Sequence, residues 1–329
     1  MSTSEYDLAG TRQAEGLWFS KDPLVVLRAE DTVFRVSGGI LSARSTVFRD
    51  MLALPQPSPS VEDTIDGCTV VRLPDSATEV ESFLRAIFDS NFFMPPPALV
   101  DFDVVIGVLR LAHKYDVEYL FRRALSHLDH LYPIHLDKCS RVHQQFDPDD
   151  HIPIADRTVS AIVALRAASQ VGATWMLPMI YYTITCWSDF ERVDLRAATN
   201  MSSDEKFLCL AAQTKFVREN LTSYQFLGEL PHRDCTTIKC PGKIAYYRHV
   251  VEHWSSHCLD ANPLRPSLIY LQHHDDCELC RKLLVAADDD LAIKQRKFWE
   301  QLPDMFALPG WDELREMRGT VMEEASVES

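Results

Sequence analysis

The sequence predicts a small α+β domain at residues 16–134, followed by an all-α domain at residues 150–318. Short β-rich runs alternate with helical stripes in the first part, the second part has helical periodicity, and the polar stretch "QQFDPDDHIP" separates them. A chain of 329 residues, 46% of them hydrophobic, has room for about two domains with sizeable cores. We expect residues 1–15 and 319–329 to be disordered tails and residues 135–149 to be a linker.

The charge balance and the N-terminal residues limit the classes of function. There are 48 acidic and 33 basic residues, which give a net charge of −15. Because nucleic-acid binding needs Lys and Arg to replace condensed counterions, direct contact with nucleic acid is not expected. The start "MSTSEYDLAG" is unlike a secretory signal, and nine cysteines without such a signal are typical of reduced thiols. These features predict a soluble protein of the cytoplasm, the nucleus or both.

The longest uncharged segment, residues 167–188, is long enough to span a bilayer. Polar residues and Pro178 interrupt it, however, and this composition is not typical of a membrane span. We therefore expect a buried helix pair that is broken near Pro178, and no association with a membrane.

The α+β domain is expected to begin with a β-hairpin. Two β-rich runs, at residues 24–28 and 32–36, are separated by the polar "AED". Ser37 is predicted to cap a short helical turn, and the two glycines after it permit a sharp change of direction. Ser45 is predicted to cap a second helix, whose apolar side carries Val47, Phe48, Met51 and Leu52.

A third strand is expected at residues 69–73, and three longer helices follow it. The predicted caps are a box of Thr78 with Glu81 for the first helix, Asp101 or Asp103 for the second, and Asp116 for the third. In the second half, Ser202 with Glu205 is predicted to open a helix, and residues 244–258 are predicted to form another. The segment "RKFWEQLPDMFALPGWDEL" predicts helices that alternate with proline-terminated turns.

The order of elements over residues 17–132 resembles the BTB/POZ domain. The segments that carry the resemblance are "DPLVVLRAEDTVFRV", "ILSARSTVFRDML", "VVRLPD" and "LRLAHKYDVEYL". The residues that fall on the family pattern are Phe34, Val36, Leu41, Ala43, Ser45, Phe48, Ala112, Lys114 and Tyr115. The chain looks most like the BTB proteins of basidiomycete fungi, whose helical C-terminal half it also resembles. The matching C-terminal residues are Trp299, Leu302, Pro303, Phe306, Leu308, Pro309 and Trp311.

The resemblance implies a protein-interaction module without chemistry of its own. Many relatives form homodimers through a surface near the first helix, and some recruit a cullin-type ubiquitin ligase while a second domain holds the substrate. The candidate interaction positions, most of them expected in the core, are Phe34, Val36, Leu41, Ser45, Phe48, Lys114 and Tyr115. The chain departs from the family pattern at Ser37, where a histidine is usual, and at the glycines that follow.

Cysteines of the second half provide a different hypothesis. Cys235 and Cys240 form one pair, and Cys277 and Cys280 form another, so together they could supply four thiolate ligands to a structural zinc ion. Further ligands near them are His257, Cys258, His273 and His274. The alternative is a helical core, because Cys277, Cys280 and Leu284 also share one helical face. A zinc site would favour a regulatory module acting in transcription.

Enzyme signatures are not found in the sequence. It contains no H-E-x-x-H, G-x-S-x-G or G-x-G-x-x-G motif, and "PGKIA" lacks the upstream glycine and the Ser or Thr of a phosphate-binding loop. We therefore expect no catalysis and, zinc apart, no cofactor. The sequence predicts a non-enzymatic interaction protein that self-associates, recruits a protein partner, or does both. A cullin-ligase substrate adaptor is the principal alternative.

Overall fold

The computed structural model describes residues 24–54, 64–65, 68–139, 154–187, 201–223, 263–264 and 278–323. The chain divides into two compact units, Met1–Ala124 and Leu125–Ser329. The first unit combines a sheet with helices, and the described elements of the second unit are helical. These observations confirm the predicted fold class.

A four-stranded sheet lies in the first unit. Its strands are β1 (Leu24–Ala29), β2 (Thr32–Ser37), β3 (Thr64–Ile65) and β4 (Cys68–Leu73), in the spatial order β2-β1-β4-β3. β1 pairs antiparallel with β2 and parallel with β4, and the short β3 pairs antiparallel with β4. The predicted hairpin and the predicted strand near residue 70 are therefore confirmed.

Five helices follow the strands or lie between them. They are α1 (Gly38–Arg44), α2 (Thr46–Ala53), α3 (Ala77–Phe88), α4 (Phe102–Lys114) and α5 (Glu118–Leu131). Ser37 and Ser45 cap α1 and α2 as predicted, since each side-chain oxygen accepts a hydrogen bond from a backbone N–H three residues on. α3 and α4 pack closely at Gly107, where an added Cβ would lie 3.3 Å from Cγ of Glu79.

Two predicted caps in the first unit are wrong. Helix α3 begins two residues earlier than the box of Thr78 and Glu81 predicts, and the Ser76 hydroxyl accepts the hydrogen bond of the Glu79 N–H. Ser76 has the same spacing to an acidic residue, and it is the residue that holds the extended backbone of a cap. Asp116 also does not open α5, which begins at Glu118: its backbone is left-handed, with a φ of +52°, and its carboxylate accepts a hydrogen bond from the Thr46 hydroxyl.

The second unit contains five described α-helices. They are α6 (Ile154–Gln170), α7 (Leu177–Trp187), α8 (Ser203–Ser223), α9 (Glu278–Met305) and α10 (Trp311–Glu323), with a 3₁₀ turn at Thr174–Met176. The capping box at the start of α8 is confirmed: Ser202 and Glu205 each accept a hydrogen bond from the other's backbone N–H, at 3.2 and 2.6 Å. The helix predicted at residues 244–258 lies outside the described residues.

Two prolines lie inside helices where the sequence predicted breaks. The break between α6 and α7 falls at residues 171–176, where Gly172 has a φ of +73°. Pro178 is the second residue of α7, a position at which the missing N–H has no partner to lose. Pro303 lies within the last turn of α9. The final helix runs to Glu323, past the predicted end of the domain at residue 318.

Aromatic side chains fill the core of the second unit. Tyr182, Phe216, Phe298 and Phe306 meet at ring-centroid distances between 5.0 and 6.4 Å. Trp299 and Trp311 stack nearly parallel, with centroids 4.4 Å apart, and Nε1 of Trp311 donates a 2.6 Å hydrogen bond to the Trp299 carbonyl oxygen. This tryptophan pair joins the end of α9 to the start of α10. Among the described helices, none is both long and apolar enough to cross a membrane.

Candidate functional site

The candidate positions of the first unit form one cluster around Ser45. Ser45 is 1% exposed and lies between α1 and α2, where its Oγ accepts the hydrogen bond of the Phe48 N–H at 3.0 Å. The same hydroxyl donates a 2.5 Å hydrogen bond to the carbonyl oxygen of Tyr115, at the end of α4. Ser45 therefore joins two segments that are 70 residues apart in sequence.

Aromatic stacking supports the same junction. The rings of Phe48 and Tyr115 stack with centroids 4.6 Å apart and an interplanar angle of 21°. The ring of Phe83, from α3, lies 5.8 Å from Tyr115 on centroid distance. Phe48, Phe83 and Tyr115 are all buried, so this packing contributes to the core of the first unit.

Asp75 connects the loop before α3 to the end of α4. Its carboxylate accepts hydrogen bonds from Nζ of Lys114 at 2.6 Å and from the hydroxyl of Tyr115 at 2.5 Å. Burial raises the pKa of Tyr115, and the hydrogen bond to Asp75 and the negative charge of that carboxylate raise it further. Tyr115 is therefore a neutral hydrogen-bond donor at neutral pH.

The remaining candidate positions belong to the sheet and α1. Leu41 is fully buried, while Phe34 and Val36 are half-buried on the edge strand β2. They lie opposite Leu27 and Val25 in the register of β1, and both of these are buried. All seven positions therefore have a packing or hydrogen-bonding role, and Lys114 is the one whose side chain is substantially exposed.

A second arrangement was not found by sequence reasoning. The ring of Tyr119 in α5 is close to two guanidinium groups, with Cζ of Arg44 5.4 Å and Cζ of Arg123 5.9 Å from its centroid. Burial raises the pKa of Tyr119, and the two arginines act in the opposite direction. The contact with Arg44 joins positions 75 residues apart in sequence, whereas Arg123 lies one helical turn from Tyr119.

The zinc hypothesis concerns residues that the structure leaves largely undescribed. Cys235, Cys240, Cys277 and the further ligands His257, Cys258, His273 and His274 lie outside the described residues. Cys280 lies in α9, and its side chain is not described. Within the described ranges, no group of three or more His, Cys, Asp or Glu residues could hold a metal ion. The four-cysteine site stays a prediction.

The described cysteines are free thiols. Cys139, Cys186 and Cys209 are buried, and Cys68 is half-buried. Burial raises the pKa of Cys139 to about 12 and that of Cys209 to about 11. Because the thiolate is the nucleophile, these two residues are poorly suited to covalent or redox chemistry at neutral pH.

Comparison with known proteins identifies the first part of the chain. Residues 23–131 match the family model of the BTB/POZ domain. This range contains all four strands, helices α1 to α5 and the whole Ser45 cluster. Neither the curated proteins nor the solved structures gave a match. Residues 23–131 are thus a BTB/POZ domain, which is a protein–protein interaction module.

Proposed function

We propose that this protein acts without catalysis, by self-association through its BTB/POZ domain and by recruitment of a protein partner. The observation that carries the proposal is the match of residues 23–131 to an interaction domain whose motif positions have internal roles. Since the motif residues maintain the fold, we expect the exposed side chains around them to contact the partner. The domain bounds at 16–134 and 150–318 are part of this proposal, with the second domain extended to Glu323, where α10 ends.

The surface that we assign to self-association lies on α1 and α2. Ala43 is exposed there, Ile40 and Met51 are half-buried, and Leu54, directly after α2, is 64% exposed. Apolar side chains that are left partly in water favour association with a second surface. Each chain carries a net charge of −15, so two chains repel each other at long range. Added salt screens this repulsion and is expected to strengthen self-association.

Light scattering of the full chain across the micromolar range tests self-association. The wild-type protein is expected to have the mass of a dimer, and Leu54→Asp is expected to shift it toward the monomer. Leu99→Asp is the matched control, because Leu99 is another exposed leucine of the first unit, in the loop between α3 and α4. A wild-type protein that is monomeric throughout this range would rule out self-association.

A substrate adaptor of a cullin-type ubiquitin ligase is the second candidate function. The observation that favours it is the division of the chain into one compact unit that contains most of the BTB match and a second compact unit whose described elements are helical. In such an adaptor, the first unit would hold the ligase and the second unit would hold the substrate. Incubation of the purified chain with a cullin N-terminal region, followed by size-exclusion chromatography, tests the proposal. Separate elution of the two proteins at micromolar concentration would end it.

A further inference from the structure

One face of the sheet in the first unit combines arginines with exposed aliphatic side chains. We call it the outer sheet face, and the strand register defines it, because residues opposite each other in a sheet share a face. Its members are Leu24, Val26 and Arg28 in β1, Val33, Arg35 and Ser37 in β2, Ile65 in β3, and Cys68, Val70 and Arg72 in β4. Val26, in the middle of this face, is buried, and the exposed members lie on either side of it. The other face carries Val25, Leu27 and Ala29, which are buried in the core.

Three arginines occupy neighbouring register positions on the outer sheet face, and Nε of Arg28 also donates a 3.2 Å hydrogen bond to the Glu30 carbonyl oxygen. Arg28 and Arg72 are direct neighbours in the parallel pairing of β1 with β4, and Arg35 lies on the other side of β1. All three side chains are exposed. Neighbouring strands are about 4.8 Å apart, and like charges at directly opposite positions destabilise a sheet. An anion bound at this face would offset that repulsion.

Three of the aliphatic residues on the same face are unusually exposed. Leu24 is 46%, Val33 is 51% and Ile65 is 40% exposed. The solvent side of a sheet normally carries polar residues. A surface that joins aliphatic side chains to arginines has the composition of an interface core, where arginine is enriched.

We propose that the outer sheet face binds an acidic peptide segment of a protein partner, one that also carries aliphatic residues. The inference rests on the proposed role in partner recruitment and names the chemistry of that partner. Carboxylates fit the forked donors of Arg28 and Arg72, and aliphatic side chains of the peptide pack on Leu24, Val33 and Ile65.

Charge argues against two other partners for this face, a second copy of the chain and a nucleic acid. A two-fold dimer places a patch against its own copy, so a second chain would bring Arg28 and Arg72 against the same arginines. Nucleic acid needs several cations to release its counterions, and a few arginines in a chain of net charge −15 do not supply them. An acidic peptide carries few charges, and at physiological salt it feels mainly those within about 8 Å.

Selection from a randomised peptide library displayed on phage, with the full-length protein as bait, tests the proposal. Enriched peptides are expected to be rich in Asp, Glu, Val, Leu and Ile. A synthetic copy of an enriched peptide is expected to bind Arg28→Glu/Arg72→Glu at least about tenfold more weakly than the wild type. Arg28→Gln/Arg72→Gln, which removes charge without adding repulsion, is expected to lie between the two. Added salt should weaken peptide binding, whereas it should strengthen self-association.

The matched control is Arg218→Glu, which reverses an exposed arginine on α8 of the second unit and should leave peptide affinity unchanged. Enriched peptides without an acidic bias, equal affinity for both arginine double variants and the wild type, or no enrichment would overturn the inference. Equal or tighter binding of a labelled single-stranded oligonucleotide through the same arginines would also overturn it. Light scattering is expected to give the arginine double variants the same mass as the wild type. A loss of peptide binding can then be distinguished from a loss of self-association.

Discussion

The hydroxyl of Tyr115 donates a 2.5 Å hydrogen bond to the carboxylate of Asp75, 40 residues earlier in the chain. Lys114 binds the other oxygen of the same carboxylate at 2.6 Å. The adjacent residues Lys114 and Tyr115 thus both attach the end of α4 to the loop that follows β4. This contact gives a physical reason for the Lys-Tyr pair of the sequence motif.

Replacement of Tyr115 by Phe tests the strength of this contact. We expect Tyr115→Phe to lower the free energy of unfolding by about 1–2 kcal/mol, because the hydroxyl is bonded to a charged group that is largely buried. Lys114→Met is expected to cost less than about 1 kcal/mol, since its ammonium group is partly exposed. Urea unfolding followed by circular dichroism measures both changes. A larger loss for Lys114→Met than for Tyr115→Phe would contradict this order.

Stability is expected to fall at alkaline pH. Burial raises the pKa of Tyr115, Tyr132, Tyr181 and Tyr182, and the value for Tyr181 reaches about 12. The unfolded tyrosines release their protons at a pKa of about 10. The folded state binds these protons more tightly than the unfolded state does. Their contribution to the free energy of unfolding is therefore fully present below about pH 10 and is lost as the pH rises above that value.

Urea unfolding at roughly pH 9 and pH 11 measures this loss. Each tyrosine that stays protonated in the folded state contributes up to about 1.4 kcal/mol per pH unit to the slope. The slope for Tyr115→Phe is therefore expected to be shallower than that of the wild type. Identical slopes would show that Tyr115 does not retain its proton in the folded protein.

Replacement of Ser45 by Ala should be more costly than loss of an ordinary helix cap. The Ser45 hydroxyl both accepts from the Phe48 N–H and donates to the Tyr115 carbonyl, and it is buried. We expect Ser45→Ala to cost about 2–3 kcal/mol, because it removes a cap and leaves a buried carbonyl without its donor. Ser76→Ala, at the cap of α3, is the matched control and should cost about 1 kcal/mol. If Ser45→Ala and Ser76→Ala lower the free energy of unfolding equally, the hydrogen bond to the Tyr115 carbonyl contributes no extra stability.

Alkylation of thiols should distinguish the described cysteines. At neutral pH, iodoacetamide is expected to modify half-buried Cys68 well before Cys139 and Cys209, which are buried and have raised pKa values. Peptide mapping by mass spectrometry identifies each site. Denaturation with urea before labelling is the control and should remove the difference. Early modification of Cys139 in the folded protein would contradict the burial of its thiol.

Local patterns predicted much of the first unit. Alternation and helical spacing placed β1, β2, β4 and five helices, and the serines at 37 and 45 marked helix starts because their side chains serve backbone groups three residues away. The cap at Thr78 was wrong because two overlapping S/T-x-x-E boxes occur there, and only the tertiary position of the chain after β4 selects Ser76.

Contacts across the chain were beyond sequence reasoning. The motif segments around Ser45 and Lys114 were recognised separately, but their meeting through the Tyr115 carbonyl joins positions 70 residues apart. The outer sheet face likewise depends on the parallel register of β1 with β4, which sets Arg28 beside Arg72. The sequence alone does not specify that register, so the three arginines looked like scattered surface residues.

The stacked indoles of Trp299 and Trp311 supply an optical label for the helical half of the molecule. Coplanar indoles at this separation couple their electronic transitions, so their circular dichroism and emission depend on an intact α9–α10 junction. Five of the six tryptophans, all except Trp18, belong to the unit Leu125–Ser329. Tryptophan emission can therefore be compared with the far-ultraviolet signal of the whole chain, and any mismatch between the two melting curves would report that the halves lose structure separately.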